Sequence, residues 1–164
     1  MTLLALLAFA LTTYAQETEL DKRNGFKDIK LGTIVDSVKG VIFKKDFTEN
    51  NAAVKLYVVE HPDYANIGEI KVTKIELKSY KSLIYEILVI TEKDSRLMKA
   101  MENALGKAEY DVRNDRYSWK GENLYLTFQS HGKNGLQLTY KSFPVAKMMK
   151  EDKEKKVDDI SKDF

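Results

Sequence analysis

The apolar positions of this chain change period along its length, and the changes divide it into elements. Residues 3–11 form an uninterrupted apolar run, LLALLAFAL, followed by a polar stretch with Thr13 and Ala15 at small-residue positions. The pattern predicts an export signal over residues 1–15, cut after Ala15. The run is shorter than the roughly 20 apolar residues of a spanning helix and no second one follows, so no membrane span is expected. Residues 16–24 are polar without periodicity and read as a disordered leader. Phe26, Ile29 and Leu31 then precede Thr33, which is placed to cap a short helix over 34–39 closed by Gly40.

Alternation predicts a strand over 53–59 and a long one over 69–79, with Pro62, Asn66 and Gly68 marking the loop between. In the long strand Ile70 and Val72 share one parity while Ile75 and Leu77 share the other. A bulge near Thr73 and Lys74 is therefore required to keep both pairs on the core. Residues 83–91, LIYEILVIT, are apolar on both parities, the mark of a strand that is central or covered on both faces. The period next becomes helical. Thr91 and Asp94 form a capping box, and Leu97, Met98, Met101, Ala104 and Leu105 make one stripe ending at Gly106. The opposite face, Lys93, Arg96, Lys99 and Glu102, is solvated.

Antiparallel hairpins follow over 108–112, 116–120, 124–130 and 136–143. Their inward set is Tyr117 and Trp119, then Leu124, Leu126 and Phe128, then Leu136, Leu138 and Tyr140. Pro144 opens a terminal helix over 144–164 with a thin stripe of Val145, Met148, Met149, Val157, Ile160 and Phe164. Residues 147–163 hold six Lys against six Asp and Glu, so this segment is a polyampholyte that either docks in part and frays or serves as an arm for a partner. The fold class expected is α+β, antiparallel sheet with two short helices packed on one face in tandem helix–strands units, plus the carboxy-terminal helix.

Composition narrows the function. The chain has 164 residues, 27 Lys and Arg against 25 Asp and Glu, and no Cys. That length suits one domain, residues 25–143, divided into units at about 25–91 and 92–143. Without a thiol there is no disulfide framework, cysteine nucleophile, cysteine metal site or lipidation cysteine. A net charge of +2 with interspersed signs excludes the one-signed field of a nucleic-acid binder.

Few residues carry a chemical signal. His61 and His131 are far apart and lack metal-ligand spacing, so no metal site is expected. No nucleophile elbow appears, and Gly132 to Gly135 lie between strands rather than opening a helix, so no phosphate loop and no cofactor is implied. Glu86 interrupts an apolar strand, as a general acid in a desolvated site does; the other readings turn this parity toward a sheet margin or pair Glu86 with one of the many lysines. The outward parity of the last hairpins carries Tyr, Phe and Arg among polar residues, the types from which interaction patches are built. Its candidates are Arg116, Tyr125, Gln129, Gln137, Lys141 and Phe143.

The segments GFKDIKLGT at 25–33, LGK at 105–107 and YSWKG at 117–121 resemble small exported proteins common in Bacteroidota. The layout is similar to β-lactamase inhibitor protein and to BamE/SmpA-like envelope lipoproteins, although this chain lacks their lipidation cysteine. The resemblance implies two α/β units with sheets side by side and a binding role. The expected function is a periplasmic or secreted, non-enzymatic module that binds another envelope or secreted protein through its outer sheet face. The alternatives are a small hydrolase or glycan-active enzyme using Glu86, and a purely structural envelope component.

Overall fold

The computed structural model describes residues 17–164; the expected export signal over 1–15 lies outside the described residues. The segment expected as a disordered leader instead contains helix α1 (Glu19–Arg23). Its Thr18 hydroxyl accepts from the Asp21 N–H at 3.0 Å, and Leu20 and Asp21 are buried. A hairpin of β1 (Gly25–Phe26) and β2 (Ile29–Lys30) follows. Only glycine fits its first position, where φ is +142° and a Cβ would lie 2.2 Å from the Ile29 carbonyl oxygen.

The short helix expected over 34–39 is a single 3-10 turn, Val35–Ser37. Its neighbours' backbone groups are committed elsewhere: Gly32 N–H donates to the Ile84 carbonyl, Ile84 N–H to that of Thr33, and Val35 N–H to that of Ser82. The Thr33 hydroxyl donates to the Lys30 carbonyl at 2.8 Å rather than capping a helix.

The strands are β3 (Val41–Glu49), β4 (Ala52–Val59), β5 (Asn66–Ile67), β6 (Ile70–Tyr80), β7 (Leu83–Glu92), β8 (Glu109–Asp111), β9 (Arg116–Lys120), β10 (Leu124–His131) and β11 (Gly135–Ser142). Helix α2 (Arg96–Leu105) separates β7 from β8, and α3 (Phe143–Ser161) follows β11. All nine strands join one antiparallel sheet in the order β3-β4-β6-β7-β11-β10-β9-β8, with β5 beside β6. It consists of two meanders that meet where β7 pairs with β11. Edge strand β3, which the hydrophobic pattern did not mark, is largely exposed and carries Lys44, Lys45 and Asp46. Charges of this kind on an edge deter further strand pairing.

The main core lies on one face of the sheet. Tyr57, Leu77, Ile87, Val89, Leu126, Leu138 and Trp119 form it with Leu20 of α1, Val35 of the 3-10 turn, and Leu97 and Met101 of α2. Two bulges keep β6 and β7 in phase with this core. One shifts register between Val72 and Lys74, where the parity change of β6 required it. The other falls between Lys78 and Ser79, so that both Tyr85 and Glu86 turn away from the main core. Thr91 does not cap α2: its hydroxyl donates to the Glu92 carbonyl within β7, and the Asp94 carboxylate accepts from the Arg96 N–H at 2.8 Å instead.

Helix α3 closes one end of the opposite face. The Ser142 hydroxyl caps it by accepting from the Val145 N–H at 3.3 Å. Val145, Met148 and Met149 pack with Ala52, Val54, Tyr80 and Tyr85 in a second, smaller cluster. Asp152 fixes the third turn, accepting from the Tyr80 hydroxyl at 2.9 Å and from Lys81 at 2.6 Å. Beyond it Val157, Ile160 and Phe164 are exposed. Among the described residues no helix is long and apolar enough to cross a membrane.

Candidate functional site

In an antiparallel ladder, directly opposed residues point to the same face. Since Val89 opposes Leu138 and both lie in the main core, the alternate residues project outward in three rows. One row runs Leu56, Lys78, Glu86, Lys141, Tyr125, Lys120. The next runs Val58, Glu76, Leu88, Thr139, Thr127, Ser118. The third runs Lys74, Ile90, Gln137, Gln129, Arg116. None of these side chains belongs to either apolar cluster, although Leu56, Val58, Leu88 and Ile90 are aliphatic.

Five of the six candidates therefore share one face. Tyr125 is half-buried with Lys120 and Lys141 opposite it on either side. Gln137 Nε2 donates to the Thr139 hydroxyl at 3.1 Å, and His131 Nδ1 lies 3.1 Å from Gln137 Oε1. Gln129 stands between Gln137 and Arg116, whose guanidinium lies 3.5 Å from the Asp111 carboxylate. Phe143 is the exception. It is the first residue of α3 rather than the last of β11, and its N–H donates to the Asn123 carbonyl at 2.9 Å. Ser142 ends the strand by capping the helix, so alternation stops one residue before Phe143.

Glu86 is 5% exposed and joins the two meanders. Its Oε1 lies 3.1 Å from Lys78 Nζ on β6, and its Oε2 3.1 Å from Lys141 Nζ on β11. Lys78 also donates to Glu49 at 2.9 Å, and the Tyr85 hydroxyl donates to the same Glu49 oxygen at 3.0 Å. Burial pushes the Glu49 carboxyl up, yet hydrogen bonds from Lys78 and Tyr85 outweigh it and hold the group below the usual carboxylate range. Lys78 is raised, because its hydrogen bonds and attraction to Glu49 and Glu86 exceed the cost of burial. The Tyr85 phenol is raised strongly by burial and then by Glu49. Glu49, Tyr85, Glu86, Lys141, Met149 and Lys153 line a cleft of about 380 Å³ between the sheet and α3.

The sequence pattern showed the outward residues of β9 to β11 but not those of β7, because strand order is non-local. The detectable signal was the double apolar parity of 83–91, which places Leu88 and Ile90 on the outer face of a central strand. Among the described residues no three His, Cys, Asp or Glu gather in a way that could hold a metal ion. The chain matches no protein-family profile, no curated protein and no solved structure.

Proposed function

We propose that this chain is an exported, non-enzymatic module that binds another envelope or secreted protein on the outer face of its sheet. The observation that carries the reading is the set of half-buried aliphatic side chains Leu56, Val58 and Leu88, which project from that face beside the more deeply buried Ile90 and belong to neither apolar cluster. Seven spacings of about 4.8 Å make the eight-strand path about 34 Å wide, a dimension suited to a standard protein interface. Around the aliphatic residues stand Lys74, Lys78, Lys120, Lys141 and Arg116, with Glu76 and Glu86 as counter-charges. The fitting partner is a protein surface with an apolar centre and an acidic rim.

Site-specific photocrosslinking in the native host tests this. A crosslinker at Thr127, on the face, is expected to trap one heterologous protein, and one at Lys99, on the solvated side of α2, is expected to trap none. Leu88→Arg should abolish the Thr127 adduct. No adduct at Thr127, or the same adduct from Lys99, overturns the reading; adducts with a second copy of the chain alone support a structural assembly component instead.

The cleft beside α3 favours one second reading, a hydrolase or glycan-active enzyme, since it places Glu86 near Glu49. Against it, each Glu86 oxygen faces an ammonium group, an arrangement of a structural counter-ion rather than of a proton donor aimed at a substrate. Hydrolysis of a glycan by the wild-type chain that Glu86→Gln abolishes would establish it.

A further inference from the structure

A second cleft, on the other side of the sheet, has a different character. It has a volume of about 380 Å³, within the range of small-molecule sites. Leu20 and Phe26 form one wall, Met101 and Leu105 of α2 the other, and Leu138 and Tyr140 of β11 the floor. Helix α2 also presents the small side chains of Ala100 and Ala104 to it. The polar side chains at its edge besides Tyr140 are Arg23, Lys27 and Lys30, and no carboxylate lines it. Among the described residues none of these three cations is in a salt bridge; Lys30 donates to the backbone carbonyls of Arg23 and Lys27, and Lys27 to that of Asp63.

Tyr140 supplies an independent indication. It is 8% exposed, lines the cleft, and its hydroxyl makes no hydrogen bond among the described residues. Its ring is buried but its oxygen is not sealed off, so the hydroxyl is free to bond a molecule in the cleft. Burial raises this phenol, with the Arg23 charge opposing, so it remains a hydrogen-bond donor at neutral pH. An apolar cleft, an unused donor and a cationic rim without ion pairs are together complementary to one class of molecule.

We infer that this cleft binds a single-chain amphiphile with an anionic head, its alkyl chain lying against α2 and its head between Tyr140, Arg23 and Lys30. The site is on the opposite side of the sheet from the proposed protein-binding face and does not depend on that reading.

Titration calorimetry of the full chain with monomeric dodecanoate tests it. One molecule is expected to bind per chain, at least about tenfold more tightly than dodecyltrimethylammonium, which has the same tail and the opposite charge. The double variant Arg23→Glu/Lys30→Glu should weaken dodecanoate at least about tenfold, a change of about 1.4 kcal/mol. Ala104→Phe should abolish binding by filling the channel, and Tyr140→Phe should weaken it severalfold while leaving the near-ultraviolet signal of Trp119 unchanged. Absence of saturable binding overturns the inference, as does equal affinity for the cationic amphiphile or indifference to both the charge and Tyr140 variants. Sedimentation with phosphatidylglycerol vesicles by a chain that ignores monomeric dodecanoate also overturns it, since a membrane surface rather than a single-molecule site would then be the target.

Discussion

The two faces of the sheet are made by the same strands, yet they behave as different materials. Inward, Leu77, Ile84, Ile87, Val89, Leu124 and Leu126 are almost wholly excluded from water, because α1, the 3-10 turn and α2 contribute residues to the cluster over them. Outward, aliphatic side chains alternate with lysines, glutamates and glutamines, and α3 packs only at the end near Tyr80 and Tyr85. Alternation along a strand decides which face a residue serves. What covers that face decides what the residue is worth. Leu126→Ala is accordingly expected to cost about 2–5 kcal/mol, the range for deleting buried leucine atoms and leaving a cavity. Leu88→Ala, half-buried and outside both clusters, should cost less than about 1 kcal/mol. Urea denaturation of both variants measures the contrast, and equal losses would show that the outer face is packed in solution.

The seam between α1 and the second meander is the next place to test how the inner face is closed. The Asp21 carboxylate accepts from the N–H groups of Glu122 and Asn123, each at 2.8 Å, and from the Thr18 hydroxyl at 2.6 Å. Glycine at 121 makes this possible, because a Cβ there would sit 2.6 Å from the carboxylate oxygens. Asp21→Ala leaves two turn N–H groups without that acceptor, for an expected cost of about 1–3 kcal/mol. Burial alone would raise the Asp21 carboxyl, but the hydrogen bonds from Thr18, Asn123 and Glu122 prevail and lower it. A carboxyl lowered on folding contributes fully above its unfolded value of about 3.9, and that contribution is lost as pH falls through the folded value. Acid titration of stability should therefore fall less steeply below about pH 4 in Asp21→Ala than in the wild type. Parallel curves would remove Asp21 from the seam's stability.

The seam also shows what a linear reading of the chain can and cannot deliver. The bulge near Thr73, the stripe of α2 and the inward set of β9 to β11 apart from Tyr117 were legible, because each follows from a period within one segment; Tyr117 shares the parity beside Phe128 but lies exposed against Tyr110 near the sheet edge, outside the core. Asp21 was not, since its partners lie 101 and 102 residues away and nothing local distinguishes it from a solvated acid. The 3-10 turn at Val35 failed for the same kind of reason: bonds to residues 82–84 overrode a sound capping pattern. At the candidate site, alternation placed Arg116, Tyr125, Gln129, Gln137 and Lys141 together. It could not place β7 beside β11, which adds Glu86, Leu88 and Ile90 to that face. Phe143 was misplaced because one capping serine, Ser142, converts strand to helix.

The smallest expected effect sharpens the comparison most. If the outer face is open to water, the ion pairs on it should be weak and sensitive to salt. Lys141 is 55% exposed and bonds Glu86 from the solvent side, whereas Lys78, 26% exposed, is held between Glu86 and Glu49. A double-mutant cycle between Glu86→Gln and Lys141→Met should thus give a coupling of no more than about 1 kcal/mol that shrinks as salt is added. The cycle between Glu86→Gln and Lys78→Met should give a larger coupling that salt changes less, since that lysine is the more buried. A coupling of several kcal/mol to Lys141, unmoved by salt, would mean that the row is dry. The outer face would then be covered in solution, and Leu56, Val58 and Leu88 would already be occupied rather than free to meet a partner.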